Sequence, residues 1–237
     1  MSRIATATTA NPASDSNQFV TVFPGGLMPP RSEEIPGSDS NQFVSLFPTE
    51  IGWMGIVGRV NVVRSVLVGH SSAASVRKAV QRLCAKWGQI SLPHGRGSEN
   101  FPSQCETGIG PGQASPIPQD ADWHPELRVL LQEYAQGKRV IFSGFDLQLP
   151  PRTPFRDKVL AATRQLGYGE ITTYGDLARL VGHPGAARAV GTVMSTNRFP
   201  ILIPCHRVLA AGGKLGGYTS PAGTDLKQRL LDMEQAA

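Results

Sequence analysis

Four consecutive residues near the end of this 237-residue chain, Pro204-Cys205-His206-Arg207, have the makings of a nucleophile. A cysteine attacks as the thiolate, and its free pKa of about 8.5 must be lowered by cationic or hydrogen-bonding neighbours. His206 and Arg207 supply candidates. The apolar run Ile201 to Ile203 leads into the cysteine and Pro204 fixes its approach, so the thiol is expected at the end of a short buried segment. The same residues also read as a buried structural thiol beside a basic surface pair. Glu234 bears on that choice. It lies eight residues after Leu226 and four after Leu230, on the side of a final helix that Leu226, Leu230 and Met233 mark as buried. A carboxylate there needs a partner, because desolvating it alone costs several kcal/mol. His206 is the obvious one; the alternative is a frayed end with Glu234 in water.

These residues must be positioned by helices that the sequence announces with caps and periodicity. Thr153-Pro154 is an N-cap followed by proline, and Phe155, Val159, Ala162 and Leu166 form one face of a helix ending at Gly167. Thr173-x-x-Asp176 opens a second helix, with Tyr174, Leu177, Ala178 and Val181 on one side. After the breaker Gly182-His183-Pro184-Gly185, a third helix runs from Ala186 to about Ser195. It is expected to bury Ala186, Ala189, Val190, Val193 and Met194 and to present Arg188, Thr192 and Ser195 outward. Two short helices joined by a four-residue turn, the second with an Arg-led polar face, outline a helix-turn-helix, although many paired helices of this kind bind nothing. Charge points the same way. Residues 151–237 hold 11 Lys/Arg against 6 Asp/Glu, and the remaining residues hold 12 of each, so the whole net charge of +5 lies in this last third. If the protein meets a polyanion, it does so there; the same charge also reads as an ordinary basic surface.

The rest of the chain reads as two further segments. SDSNQFVTVFP (Ser14 to Pro24) recurs as SDSNQFVSLFP (Ser38 to Pro48), and two copies are too few for a solenoid. Residues 1–48 are expected to be a disordered tail carrying this duplicated motif. From Ile51 to Leu149 an α/β unit is expected, giving a domain over residues 49–149 and a second over residues 150–237. Glycine-punctuated β-rich runs follow Ile51, and Val76, Val80, Leu83 and Trp87 mark an amphipathic helix. The Gly/Pro-rich residues 92–122 look like an irregular insertion. A helix with Leu127, Leu130, Leu131 and Tyr134 stops at Gly137, and a strand is expected over Arg139 to Leu149. No apolar run has the length of a membrane span, and the first residues lack a signal-peptide layout. Three cysteines exclude a disulfide framework and fit a reducing compartment. Cys84, His94, Cys105 and His124 have no metal-ligand spacing, so no metal is expected.

The block from Tyr168 to Glu234 resembles the O6-alkylguanine-DNA alkyltransferases, also called methylated-DNA–protein-cysteine methyltransferases. The matching text is YGEITTYGDLA, AARAVG, N-x-x-P-I-L-I-P-C-H-R-V, GGY and K-x-x-LL-x-x-E, in the family's order and spacing. The resemblance implies a ribonuclease-H-like α/β N-terminal domain and a mostly helical, winged-helix-like C-terminal domain. It implies Cys205 as alkyl acceptor, His206 as the base acting through a water, Glu234 as the carboxylate orienting it, and Asn197 as a brace of the site's turns. Tyr174 would stand near the flipped guanine and its phosphate. Tyr218 and Thr219 would close over the base, with backbone of Cys205 and Val208 accepting from its amino group. The family usually has Ser where Thr219 stands. Arg188 would fill the vacated space in the stack, while Ala187, Gly191 and Ser195, with Thr173, would face the minor groove of duplex DNA.

Those expectations define an activity. A flipped O6-alkylguanine would give its alkyl group to Cys205 in one irreversible turnover, with no cofactor, and O4-alkylthymine is an open second substrate. A cytoplasmic, DNA-associated monomer is expected. Two rivals stand beside it: a non-catalytic DNA-binding regulator, which would have no use for Cys205, and a cysteine hydrolase, which would need an oxyanion hole and sustained turnover.

Overall fold

The computed structural model describes residues 42–59, 62–88, 118–149 and 153–236. The β-rich runs after Ile51 form an antiparallel pair, β2 (Trp53–Arg59) and β3 (Val62–His70). Ahead of them, β1 (Phe43–Phe47) pairs antiparallel with β2, Val44 opposite Val57 and Phe47 opposite Met54. β1 is therefore part of the sheet, and the tail expected over residues 1–48 is corrected at its end. The first repeat copy lies outside the described residues; FVSLF of the second copy is a strand buried on both faces. Phe43 and Phe47 enter the larger apolar cluster and Val44 the smaller one. Burying each phenyl ring is worth roughly 1.5–3 kcal/mol.

α1 (Ala73–Gly88) covers one face of the sheet, setting Val76, Val80, Cys84 and Trp87 against Val44, Val57 and Leu67. Most of the expected insertion lies outside the described residues. Its far end contributes β4 (Gln119–Asp120), parallel to β1, and just beyond it comes the buried Trp123, whose Nε1 donates to the Ile56 carbonyl at 3.1 Å. α2 (Pro125–Ala135) packs Leu127, Leu131 and Tyr134 on the opposite face. The strand expected over Arg139 to Leu149 shrinks to β5 (Asp146–Leu147), parallel to β3. Gly144, at φ 80°, breaks the extended path, although Val140 and Phe145 are still buried. The five-stranded sheet runs β4-β1-β2-β3-β5.

The last third is mostly helical. α3 (Pro154–Arg164) is capped by Thr153, whose side chain accepts from Arg156 N. β6 (Thr172–Thr173) leads into α4 (Tyr174–Leu180), and α5 (Ala187–Ser195) packs against α4. α5 buries Val190, Val193 and Met194; Ala189, expected inside, is exposed, because it falls on the outer side of this short helix. A 3-10 turn at Cys205–Arg207 runs into β7 (Val208–Leu209), parallel to β6, and α6 (Gly223–Gln235) closes the described chain. The larger apolar cluster runs unbroken from Phe43 and Met54 in the sheet through Leu131 and Val159 to Leu230. An α/β half and a helical half therefore share one core. No helix among the described residues is long and apolar enough to cross a membrane.

Candidate active site

Cys205 sits at the end of a turn clamped from two sides. Arg198 O accepts from Val66 N at 2.8 Å and from Ser65 Oγ at 3.1 Å, tying the turn to β3. Asn197, itself buried, accepts from Phe199 N at 3.0 Å and donates to Ile203 O at 2.9 Å. Within that brace Ile201 has φ 74°, and among the described residues it alone combines a positive φ with a side chain. The bonds Ile203 N to Phe199 O (2.8 Å) and Cys205 N to Ile203 O (2.7 Å) carry the chain into the 3-10 turn. Cys205 emerges buried, 7% exposed. Burial pushes its thiol pKa up, while a hydrogen bond with Asn197, the charge of Lys227 and the amides of Cys205 and His206 pull it down. Upward wins, so the resting group is a thiol and needs a base.

His206 is fully buried, and its Nε2 lies 2.9 Å from Glu234 Oε1. Glu234 is also buried and gathers further donors. Arg207 Nε and Nη2 reach Oε2 and Oε1 at 2.8 and 2.7 Å, Gly169 N reaches Oε2 at 3.1 Å, and Tyr134 OH reaches Oε1 at 2.5 Å. Burial alone would raise the carboxyl pKa, but hydrogen bonds from His206 and Arg207 and their charge hold it well below the usual range. The imidazole is pushed down by burial against the pull of Glu234, which leaves it neutral and able to take a proton. An ionised carboxylate only accepts, so Nε2 carries the hydrogen and Nδ1 the lone pair. That Nδ1 is buried with no hydrogen-bond partner.

The remaining expected residues fall into two groups. Around the thiol stand Tyr174, the first residue of α4; Val208, buried on β7; and Tyr218, whose hydroxyl is buried and unpaired. Burial and the neighbouring Cys205 and Glu234 raise the Tyr218 phenol well above its usual pKa, so it stays a hydrogen-bond donor. Gly216 faces Tyr174 so closely that a Cβ would lie 2.9 Å from the phenol oxygen. Outside, Arg188 and Ser195 are exposed on α5 beside the half-buried Ala187 and Gly191. A Cβ on Gly191 would meet nothing, so the fold itself does not demand glycine there. Thr219 Oγ1 donates to Ser195 O at 2.9 Å, tying the loop to the end of α5. Thr173 caps α4 through Asp176 N at 3.1 Å.

Sequence reading alone misses three contributors. Arg207 reads only as a neighbour of the thiol, yet its guanidinium holds Glu234. Lys227, fully buried, donates from Nζ to Val208 O at 2.7 Å and stands 5.8 Å from the Tyr174 ring. Tyr134 looks like a core residue of α2; the available signal is that a buried tyrosine usually finds a partner for its hydroxyl. Among the described residues no group of three or more metal-ligating side chains occurs. Cys84 lies in the smaller apolar cluster and His124 stacks edge-on with Trp123 and Phe145, while His94 and Cys105 lie outside the described residues.

The structure thus brings together a braced, buried cysteine, a buried imidazole–carboxylate pair and two packed helices. Residues 154–236 match the family model of the 6-O-methylguanine DNA methyltransferase DNA-binding domain. The methylated-DNA–protein-cysteine methyltransferase of Methanosarcina barkeri is 42% identical over 120 residues, 48% of this chain and 74% of that protein. The protein of the same name from Methanosarcina acetivorans is 43% identical over 105 residues, 44% of this chain and 64% of that protein. Among solved structures, Mycobacterium tuberculosis OGT in complex with DNA has a TM-score of 0.54 at 25% identity, covering 82% of this chain and 93% of that one. The chain belongs to the methylated-DNA–protein-cysteine methyltransferase family.

Proposed function

We propose that the protein repairs DNA by direct reversal, taking the alkyl group from O6-alkylguanine in duplex DNA onto Cys205, once per molecule. The observation that carries this reading is the buried thiol beside a neutral imidazole whose Nδ1 has no protein partner and whose Nε2–H is held by an ionised Glu234. His206 Nδ1 takes the thiol proton through a water, and Glu234 stabilises the imidazolium that results. The thiolate attacks the alkyl carbon; the S–C bond forms as the C–O6 bond breaks, and the electron pair passes to the guanine. The proton that His206 took is passed on through water to the departing guanine, and the hydroxyls of Tyr174 and Tyr218, held protonated by burial, serve it as hydrogen-bond donors only. The balance needs no cofactor, and the thioether has no route back to thiol.

Reaching O6 requires the nucleotide out of the stack. α5 suits that step, because Arg188 projects from it and Gly191 leaves room for close approach to a minor groove. In this reading the α/β half is ribonuclease-H-like, and the α4–α5 pair with the β6–β7 ribbon is winged-helix-like. The protein works as a monomer on DNA in a reducing cytoplasm, where two buried free thiols, Cys84 and Cys205, are at home. Residues 49–149 and 150–237 serve as its two domains, with β1 added to the first.

Duplex DNA labelled on an O6-methyl group tests the proposal. Label should move to protein up to one equivalent and map to Cys205. Many turnovers, or label on Cys84 or Cys105, would sink it. Cys205→Ala should abolish transfer and keep lesion binding; lesion binding by the wild type with no label transferred would favour the regulator.

A further inference from the structure

The hydroxyl of Tyr134 comes from α2, in the α/β half, yet it ends among groups of the helical half. It donates to Glu234 Oε1 at 2.5 Å and lies 3.2 Å from His206 Nε2. The residue is fully buried, and its ring packs edge-on against Phe142 at 5.8 Å and Tyr168 at 6.1 Å. A phenol has one proton to give. The carboxylate takes it, so the oxygen can only accept from Nε2–H, which is then shared between Glu234 Oε1 and Tyr134. Two consequences follow. Both acceptors lie on the Nε2 side, so the hydrogen stays there and the lone pair stays on Nδ1. The bond to Oε1 also occupies part of the negative charge that would otherwise act on the imidazole.

We propose that Tyr134 is a positioning residue for His206: it fixes the tautomer and restrains the proton affinity of the base, so that a site in the helical half is completed by the α/β half. This rests on the reading of His206 as the base. The groups facing the imidazole are Glu234 and Lys227 from α6, Arg207 from its own turn and Tyr134 from α2. Those facing the Tyr134 phenol are Glu234, Arg207 and Tyr218. In Tyr134→Phe every one except the phenol remains, and the ring stays packed. Oε1 loses its shortest donor and the carboxylate acts more fully on Nε2–H. The longer contact to the phenol oxygen, which favours the imidazolium, is lost too, but at 3.2 Å against 2.5 Å it is the weaker effect. The imidazole then holds a proton to higher pH.

The test uses the full chain, with His206 titrated by NMR and single-turnover transfer followed across pH. Tyr134→Phe should raise the His206 midpoint by about one pH unit, the equivalent of about tenfold in proton affinity. Transfer should fall up to about tenfold on the acid limb and change less than about twofold where wild-type His206 is already neutral. 3-Fluorotyrosine at position 134, a stronger donor in an unchanged fold, should shift the midpoint the opposite way. Tyr168→Phe removes a nearby hydroxyl that bonds Gly137 O at 3.0 Å rather than Glu234, and should leave the midpoint in place. An unmoved His206 midpoint in both Tyr134 variants, or a loss of rate equal at every pH, would overturn the proposal. Absence of transfer in the wild type with the midpoint shifts intact would overturn the repair reading and support Tyr134's hold on the imidazole.

Discussion

At the scale of single residues, Glu234 is the clearest point where burial and charge oppose each other. Five donor contacts keep a buried carboxylate ionised, and two of them come from Arg207. Removing the charge with Glu234→Gln weakens the stabilisation of imidazolium, so the base accepts the thiol proton less readily. Transfer at neutral pH should slow by an order of magnitude or more, the apparent pKa of Cys205 should rise, and higher pH should recover part of the rate. A wild-type pH–rate profile would remove Glu234 from the mechanism. Stability gives a second reading. The folded-state pKa of Glu234 is depressed, so its contribution is present above the unfolded value of about 4.3 and is lost as pH falls below it. Urea denaturation of wild type and Glu234→Gln should therefore differ most near neutrality and converge in acid.

At the scale of elements, α5 and the turn after it divide the work between surface and interior. Arg188 is exposed on α5, while Val190, Val193 and Met194 anchor the helix. Arg188→Ala should weaken repair of duplex DNA by tenfold or more yet barely alter reaction with free O6-benzylguanine, which needs no flipping. Equal losses on both substrates would mean that the arginine supports the fold. The helices of this region are legible in the sequence because caps or breakers bound them and each shows one apolar face. Arg139 to Leu149 misleads for the opposite reason: Val140 and Phe145 are buried by packing rather than by pairing and Ile141 is exposed, and a hydropathy pattern does not distinguish these cases from a strand. Tyr134 shows a further limit, since helical periodicity places a side chain inside without saying whether its hydroxyl meets a carboxylate.

For the whole molecule, the decisive feature is a core that does not stop at Pro150. β1 illustrates why the sequence conceals its extent. That strand repeats an upstream segment, which suggests a tail, and its burial on both faces erases the alternation that announces a half-exposed strand. The revised boundary has a direct test. A chain beginning at Ser38 should keep the stability and transfer rate of the full protein, whereas one beginning at Thr49 loses Phe43, Val44 and Phe47 from both apolar clusters. The shorter chain should lose several kcal/mol of stability by calorimetry or chemical denaturation. Equal stability of the two would return β1 to the tail.

Ile201 carries a different kind of consequence. A β-branched side chain in the left-handed region holds on the order of 1–3 kcal/mol of strain, kept in place by the Asn197 brace and the surrounding apolar side chains. In a machine built for many cycles, a tensed part beside the reacting atom invites wear. Under the proposed chemistry the thiol acts a single time, so the turn has only to stay set until then. Durability after the event is not among its requirements, and a tense, closely braced loop suits a device that fires once.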